Sequence, residues 1–292
     1  IYGNSFLPDF DYGRGGRGWR DLWQDCLALL LANPDEVRPM IIRNFEGVRL
    51  DGSNATIIER KRKTASSGRE KNQSSVQEVS WEPAFVADRN NVTRTWMDHG
   101  AWPFLTAELY LNQTGDWDLL MEKAGYFRDA QLRRGRKLDV QWIQRQDAHP
   151  DETSTGPTAL TTLSGEVYRG TVLEHILVQH LVPFFNVGEH NIIRLEDADW
   201  NDGLDMARDR GESVAFTNLY AGNLEALGRI LEAGQRAKGW RDLEVFEELT
   251  LLLDRAGSRL NYDTVEGKTQ RLQNYYQAIE KGISGRRAAI PL

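Results

Sequence analysis

Arg17-Gly18-Trp19-Arg20-Asp21-Leu22-Trp23-Gln24-Asp25-Cys26-Leu27-Ala28-Leu29-Leu30 carries Trp19, Leu22, Trp23, Cys26, Leu27 and Leu30 at spacings of three and four. That recurrence places them on one face of an α-helix, and the run closes at Asn33-Pro34. Outward from it the same period returns. Asp35 is placed to cap a helix carrying Val37, Ile41 and Ile42. A helix is expected over 103–112, ending by Gly115, with Asp116 capping another that runs through Tyr126 and Phe127. Leu173, Ile176, Leu177, His180 and Leu181 form a further stripe, and amphipathic stretches follow at 216–237, 243–260 and 268–283. Alternating runs are few, so the expected class is all-α, with helices packed on helices in one domain over 1–292.

Two segments break the pattern. Residues 46–95 are polar, with a basic run Arg60-Lys61-Arg62-Lys63, and read as an insertion forming a solvated loop or short hairpin. No aromatic residue interleaves with those charges, as a single-stranded nucleic-acid platform would need. Residues 143–170, rich in Asp, Thr, Gly and Ser, read as a loop crossing one face.

Composition narrows the function. The chain of 292 residues has 36 Lys+Arg against 43 Asp+Glu, a net charge of −7, so nucleic acid is not an expected partner. Its longest apolar run is the seven residues 26–32, too short for a membrane helix or a signal core, and a cytoplasmic location without membrane association is expected. One cysteine, Cys26, excludes an internal disulfide. The chain begins at Ile1 and closes at Leu292 just after a helical pattern, so it reads as a piece of a longer enzyme.

The first chemical cluster surrounds the opening stretch. Gly13, Gly15 and Gly18 spell G-x-G-x-x-G, but residues 4–11 make a poor strand, so the dinucleotide fingerprint lacks its context. The segment instead carries Arg14, Arg17 and Arg20 into a helix whose first turns hold Asp21, Gln24 and Asp25. Such donors and acceptors suit sugar hydroxyls or an anion. The structural alternative has Asp21 serving the helix dipole and Arg20 pairing with Asp25.

The second cluster is Glu196-Asp197-Ala198-Asp199-Trp200-Asn201-Asp202-Gly203-Leu204-Asp205. As a calcium loop starting at Asp197 it fails, with Asp202 where glycine and Arg208 where glutamate should stand. Carbohydrate chemistry fits better: Trp200 against an apolar sugar face, Asn201 and Asp199 on hydroxyls, and another carboxyl as proton donor. A solvated Asp-rich turn is the alternative. The five histidines offer no metal pair, and His180 reads as a core residue. Asp98-His99 just before Trp102-Pro103 opens a helix at a loop face. Nine tryptophans exceed ordinary packing needs; Trp19, Trp23, Trp102 and Trp200 read as sugar-binding surface, and Trp142 and Trp240 as core.

Taken together, residues 17–25, Asp98-His99-Gly100-Ala101-Trp102, Glu174-His175 and Ala198-Asp199-Trp200-Asn201-Asp202-Gly203-Leu204 resemble, in order, the cellobiose-phosphorylase-like enzymes. These are glycoside hydrolase family ninety-four and its sister β-glucan phosphorylase families, and the resemblance spans most of 10–260. It implies an (α/α)6 barrel, here incomplete, and inverting phosphorolysis of a β-linked gluco-oligosaccharide to α-glucose 1-phosphate. Asp202 matches the general acid, Trp200 a wall of the glucosyl subsite, and Arg14, Arg20 and Asp21 the donor-sugar contacts. No cofactor or metal is implied; inorganic phosphate is the co-substrate. The family's phosphate-holding residues have no match before Leu292, and the polar stretch 51–92 points to a sister family acting on longer, β-1,3-linked glucans. The partners expected are oligosaccharide and phosphate, with a homodimer or the remainder of the chain as protein partner. Two other readings stay open. An inverting hydrolase would need a second carboxylate, from Glu174 or Asp98. A non-catalytic sugar-binding module would use Trp200, Trp102 and Trp19 as its platform.

Overall fold

The computed structural model describes residues 17–62, 81–86, 95–148, 158–197, 207–254 and 261–292. The chain runs β1 (Arg17–Gly18), α1 (Trp19–Leu30), α2 (Pro34–Phe45), β2 (Ile57–Arg62), β3 (Trp81–Val86), α3 (Ala101–Thr114), β4 (Lys123–Gly125), β5 (Phe127–Arg128) and α4 (Val140–Ala148). It continues through β6 (Thr158–Ala159), β7 (Arg169–Thr171), α5 (Val172–Phe185), α6 (Val214–Lys238), β8 (Asp242–Phe246), α7 (Val265–Ile279) and β9 (Arg287–Pro291). The architecture is mostly helical, and the strands are short. Among the described residues no helix is long and apolar enough to cross a membrane.

α1 follows its sequence pattern, burying Trp19, Leu22, Trp23, Cys26 and Leu30 on one face. α2 starts two residues earlier than expected: Asn33 takes the N-cap position and Pro34 the first turn, while Asp35 and Glu36 lie where carboxylates favour the helix dipole. α3 stops at Gly115, whose φ of 67° is left-handed and suits a residue without Cβ.

α5 is the centre of the fold. Twelve of its fourteen residues are buried, so it is enclosed all round rather than along one stripe, and it touches α2, α3, α6 and α7. Glu174, His175 and His180 among its buried polar groups are matched, whereas the Gln179 amide has no hydrogen-bond partner among the described residues. Glu174 accepts from Tyr126 Oη (2.8 Å), Tyr168 Oη (2.9 Å) and the Phe246 amide (2.9 Å). His180 meets Ile176 O at 2.8 Å and Asn223 Nδ2 at 3.1 Å, a core role.

Two expected helices are corrected. Beyond Asp116 there is only a 3-10 turn, Trp117–Met121, followed by β4 and β5; the Asp116 carboxylate makes no cap and instead accepts from Arg38 Nε (2.6 Å) and Tyr110 Oη (2.9 Å). In 243–260 the first residues form β8, with Leu243 and Val245 buried between exposed Asp242 and Glu244, a period of two rather than 3.6. β8 pairs antiparallel with β9, which lies far along the chain. A 3-10 segment, Glu247–Leu252, follows.

The polar region 46–95 divides. β2 and β3 pair antiparallel from Ile57↔Val86 to Arg62↔Trp81, with β1 on the far side of β2, so Arg60, Lys61 and Arg62 lie on a strand. Residues 48–55 are not a solvated loop but core. Arg49, Asp51, Ser53 and Asn54 are buried beside Val48, Leu50 and Ala55, and they are satisfied within the group and by residues further along: Ser53 Oγ donates to Asp51 (2.6 Å), Arg49 Nε to Asp129 (3.0 Å), and Gln131 Nε2 to Asp51 (3.1 Å). Trp240 packs half-buried on the core beside Gly234. Trp142 is half-buried at the edge of α4, with the Arg128 guanidinium 5.5 Å from its ring, so it is not a core residue.

Candidate active site

Arg20 of the first sequence cluster and Asp197 of the second each contact a third segment, residues 95–102. A 3-10 turn, Met97–Gly100, leads into α3 and is buried throughout. It is held from three sides. Tyr220 Oη on α6 donates to Met97 O (2.7 Å), Trp19 Nε1 on α1 donates to His99 O (2.9 Å), and Asn54 Nδ2 lies 3.1 Å from His99 Nδ1. The turn needs Gly100: a Cβ there would stand 2.5 Å from Tyr220 Oη.

This fixes Asp98 against Arg20. The two side chains form a buried ion pair through Arg20 Nε and Asp98 Oδ2. Trp102 Nε1 donates to the same carboxylate oxygen at 2.9 Å, and the Arg20 guanidinium stands 5.5 Å from the Trp96 ring centre. Burial raises the Asp98 pKa, but the Arg20 hydrogen bond, neighbouring His99 and Arg20, and the Trp102 hydrogen bond outweigh it and hold the carboxyl below its ordinary range. Burial pushes His99 down to about 4, so its ring is neutral at pH 7.

Arg20, Gln24, Asp98 and Trp102 line one side of a pocket of about 350 Å³; Phe216 and Leu219 of α6 line the other. A fixed guanidinium–carboxylate pair beside a half-exposed indole and apolar walls offers donors, acceptors and a stacking edge to a sugar-sized ligand. Among the described residues no group of three or more His, Cys, Asp or Glu could hold a metal ion.

The acid cluster approaches from its N-terminal root. The Thr95 amide donates to Asp197 Oδ2 (2.5 Å), and Trp96 and Asp197 form a parallel bridge, two residues before Asp98. The opposite root returns to the same point, because Arg208 Nε lies 2.8 Å from Asp197 Oδ1. Asp197 and Arg208 are therefore joined to each other and, through Asp197, to the segment that carries Asp98.

Of the site residues expected from sequence, Arg20 lines the pocket, partnered by Asp98. Asp21 is half-buried in the first turn of α1, and a Cβ at Gly18 would lie 2.6 Å from its carboxylate. Arg14, Asp199, Trp200, Asn201 and Asp202 lie outside the described residues. Two expectations fail. Trp19 and Trp23 are fully buried under α1 and cannot offer a ring to a ligand, because the helix face that makes them periodic is its packed face. Glu174 is enclosed by its three donors and does not line the pocket. Gln24, one of the donors and acceptors expected in the first turns of α1, also lines the pocket, whereas Phe216 and Leu219 carry no expectation from sequence. Gln24 follows Arg20 by one helical turn, a usable signal, whereas the α6 residues carry none because only packing brings them close. No protein-family model and no curated protein matches the chain.

Proposed function

We propose that the chain is part of an inverting β-glucoside phosphorylase acting on β-linked gluco-oligosaccharides, with helices arranged as part of an (α/α)6 barrel. The observation that carries this reading is the buried Arg20–Asp98 pair with Trp102 in a sugar-sized pocket, with Asp197 of the acid cluster joined to the segment that carries Asp98. Arg20 and Asp98 hold hydroxyls of the donor glucosyl unit, Trp102 borders it, and Asp202 is the general acid. An oxygen of inorganic phosphate attacks the anomeric carbon from the face opposite the leaving group. The bond to the glycosidic oxygen breaks as Asp202 passes that oxygen its proton. The products are α-glucose 1-phosphate and the shortened sugar.

Phosphate is already an anionic nucleophile, so no second carboxylate need act as base. That favours phosphorolysis over hydrolysis here. Asp98 is held ionised by three neighbouring donors and charges, a poor proton acceptor, and Glu174 is sealed in the core. The test is product analysis after incubating the purified enzyme with β-1,3- and β-1,4-gluco-oligosaccharides, with and without phosphate. Phosphate-dependent α-glucose 1-phosphate is expected, falling at least about a hundredfold in Asp202→Asn. Phosphate-independent release of glucose would replace this reading with hydrolysis, and binding without turnover would replace it with a sugar-binding module.

A further inference from the structure

A second cavity, of about 450 Å³, shares no lining residue with the first. One wall is the turn carrying Arg133-Arg134-Gly135-Arg136-Lys137, closed by the Arg136 amide on Arg133 O (2.7 Å) and the Leu132 amide on Lys137 O (2.9 Å). The other wall brings Arg194, Glu196 and Asp209. Five cations against two carboxylates line this space in a chain whose net charge is −7.

The cations are not equally neutralised. Arg134 is 4% exposed and bonded to Glu196 through Nε (2.9 Å) and Nη2 (2.6 Å), yet its buried Nη1 has no hydrogen-bond partner among the described residues. Its backbone sits at φ 39°, unusual for a residue with Cβ, and is held there by its amide on Asp51 Oδ2 (2.5 Å). Arg133 and Lys137 share the single carboxylate of Glu280. Arg194 has no carboxylate partner among the described residues, and its Nη1 donates only to Asp209 O (2.8 Å). Arginine forks and a lysine converging with surplus charge and an unused buried donor are what a phosphate group requires.

We propose that this cavity binds a phosphate-bearing small anion. Its volume exceeds what free phosphate fills and leaves room for an attached hexose. The site includes residues on both sides of the acid cluster in sequence: Glu196 at its start holds Arg134, while Asp209 after it takes Arg136 Nη1 at 2.6 Å. An anion that engages Arg136 competes with Asp209, so occupancy is felt at the residues that follow the acid cluster in sequence.

The test is calorimetric titration of the purified protein with inorganic phosphate, glucose 1-phosphate and glucose 6-phosphate, at constant ionic strength set by chloride. Wild type, Arg194→Gln, Lys137→Gln and Asp202→Asn are compared, and circular dichroism checks that each is folded. Saturable binding is expected, tighter for a hexose phosphate than for phosphate, weakened at least about tenfold in Arg194→Gln and in Lys137→Gln, and retained in Asp202→Asn. Phosphate binding as tightly as the hexose phosphates would keep the site and assign it to the free ion. Unchanged affinity in folded Arg194→Gln and Lys137→Gln, or no heat above the chloride control, overturns the proposal. Loss of binding confined to Asp202→Asn also overturns it, since the anion would then sit in the catalytic pocket, and the phosphorylase reading would survive.

Discussion

Arg20 and Trp19 are neighbours in sequence with opposite fates, and the difference marks what a sequence can disclose. Both are buried on α1. Trp19 faces the packed interior, whereas Arg20, one helical step round, meets Asp98 at the pocket wall. Residue type and spacing marked Arg20 as a binding group, but its partner lies 78 positions away, and no local pattern announces it. The pair sets a clear expectation. Arg20→Gln leaves the buried Asp98 carboxylate without its cation, which costs about 3 kcal/mol or more of stability. Arg20→Lys keeps the charge but loses the planar fork and its stacking beside Trp96, so it costs less stability while, on the proposed phosphorylase reading, raising KM for the oligosaccharide about tenfold. Urea unfolding and steady-state kinetics on both variants check this; equal stability loss in the two would mean that charge at position 20 is not what Asp98 needs.

At the scale of elements, legibility follows the environment of each segment. α1, α6 and α7 have one wet and one packed face, and their periodicity locates them well. α5 has no wet face, so its pattern marks a helix without revealing that it is the centre. β8 depends on β9, and residues 48–55 depend on Asp129 and Gln131, so tertiary pairing decides both. The turn Met97–Gly100 is the element on which the site rests, and its hold on α6 can be tested. Gly100→Ala puts a methyl against Tyr220 Oη, where only 2.5 Å is available, and against Gln179 O at 3.2 Å. The turn must shift, carrying Asp98 with it, with a loss of about 1–3 kcal/mol and reduced turnover. Tyr220→Phe alone removes the bond to Met97 O and costs about 1 kcal/mol. In the double variant the clash with the hydroxyl is gone, so the two costs should be less than additive in a thermal unfolding cycle. Simple additivity would show that Tyr220 does not restrain the turn.

For the whole molecule, the core's buried titratable groups set the response to acid. Burial drives His99, His175 and His180 each down to about 4, so all three fold in neutral form. An unfolded histidine takes its proton near pH 6.5. Between 6.5 and 4 the unfolded chain therefore binds more protons than the native one, and stability falls as pH falls. Glu174 acts in the opposite sense. Burial raises it to about 7 against the hydrogen bonds from Tyr126, Tyr168 and the Phe246 amide, so protonation between pH 7 and 4.5 favours the native state. Three groups oppose one over nearly the same interval, and the histidines prevail. The free energy of unfolding should fall by at least about 2 kcal/mol from pH 7 to pH 5, read as a decrease in the urea midpoint. His180→Gln, which keeps a polar side chain near Asn223 but cannot take that proton, should make the decline shallower. A midpoint that stays level or rises as pH falls from 7 to 5 would mean that these imidazoles are protonated within the fold, and that α5 carries charge through the centre of the molecule.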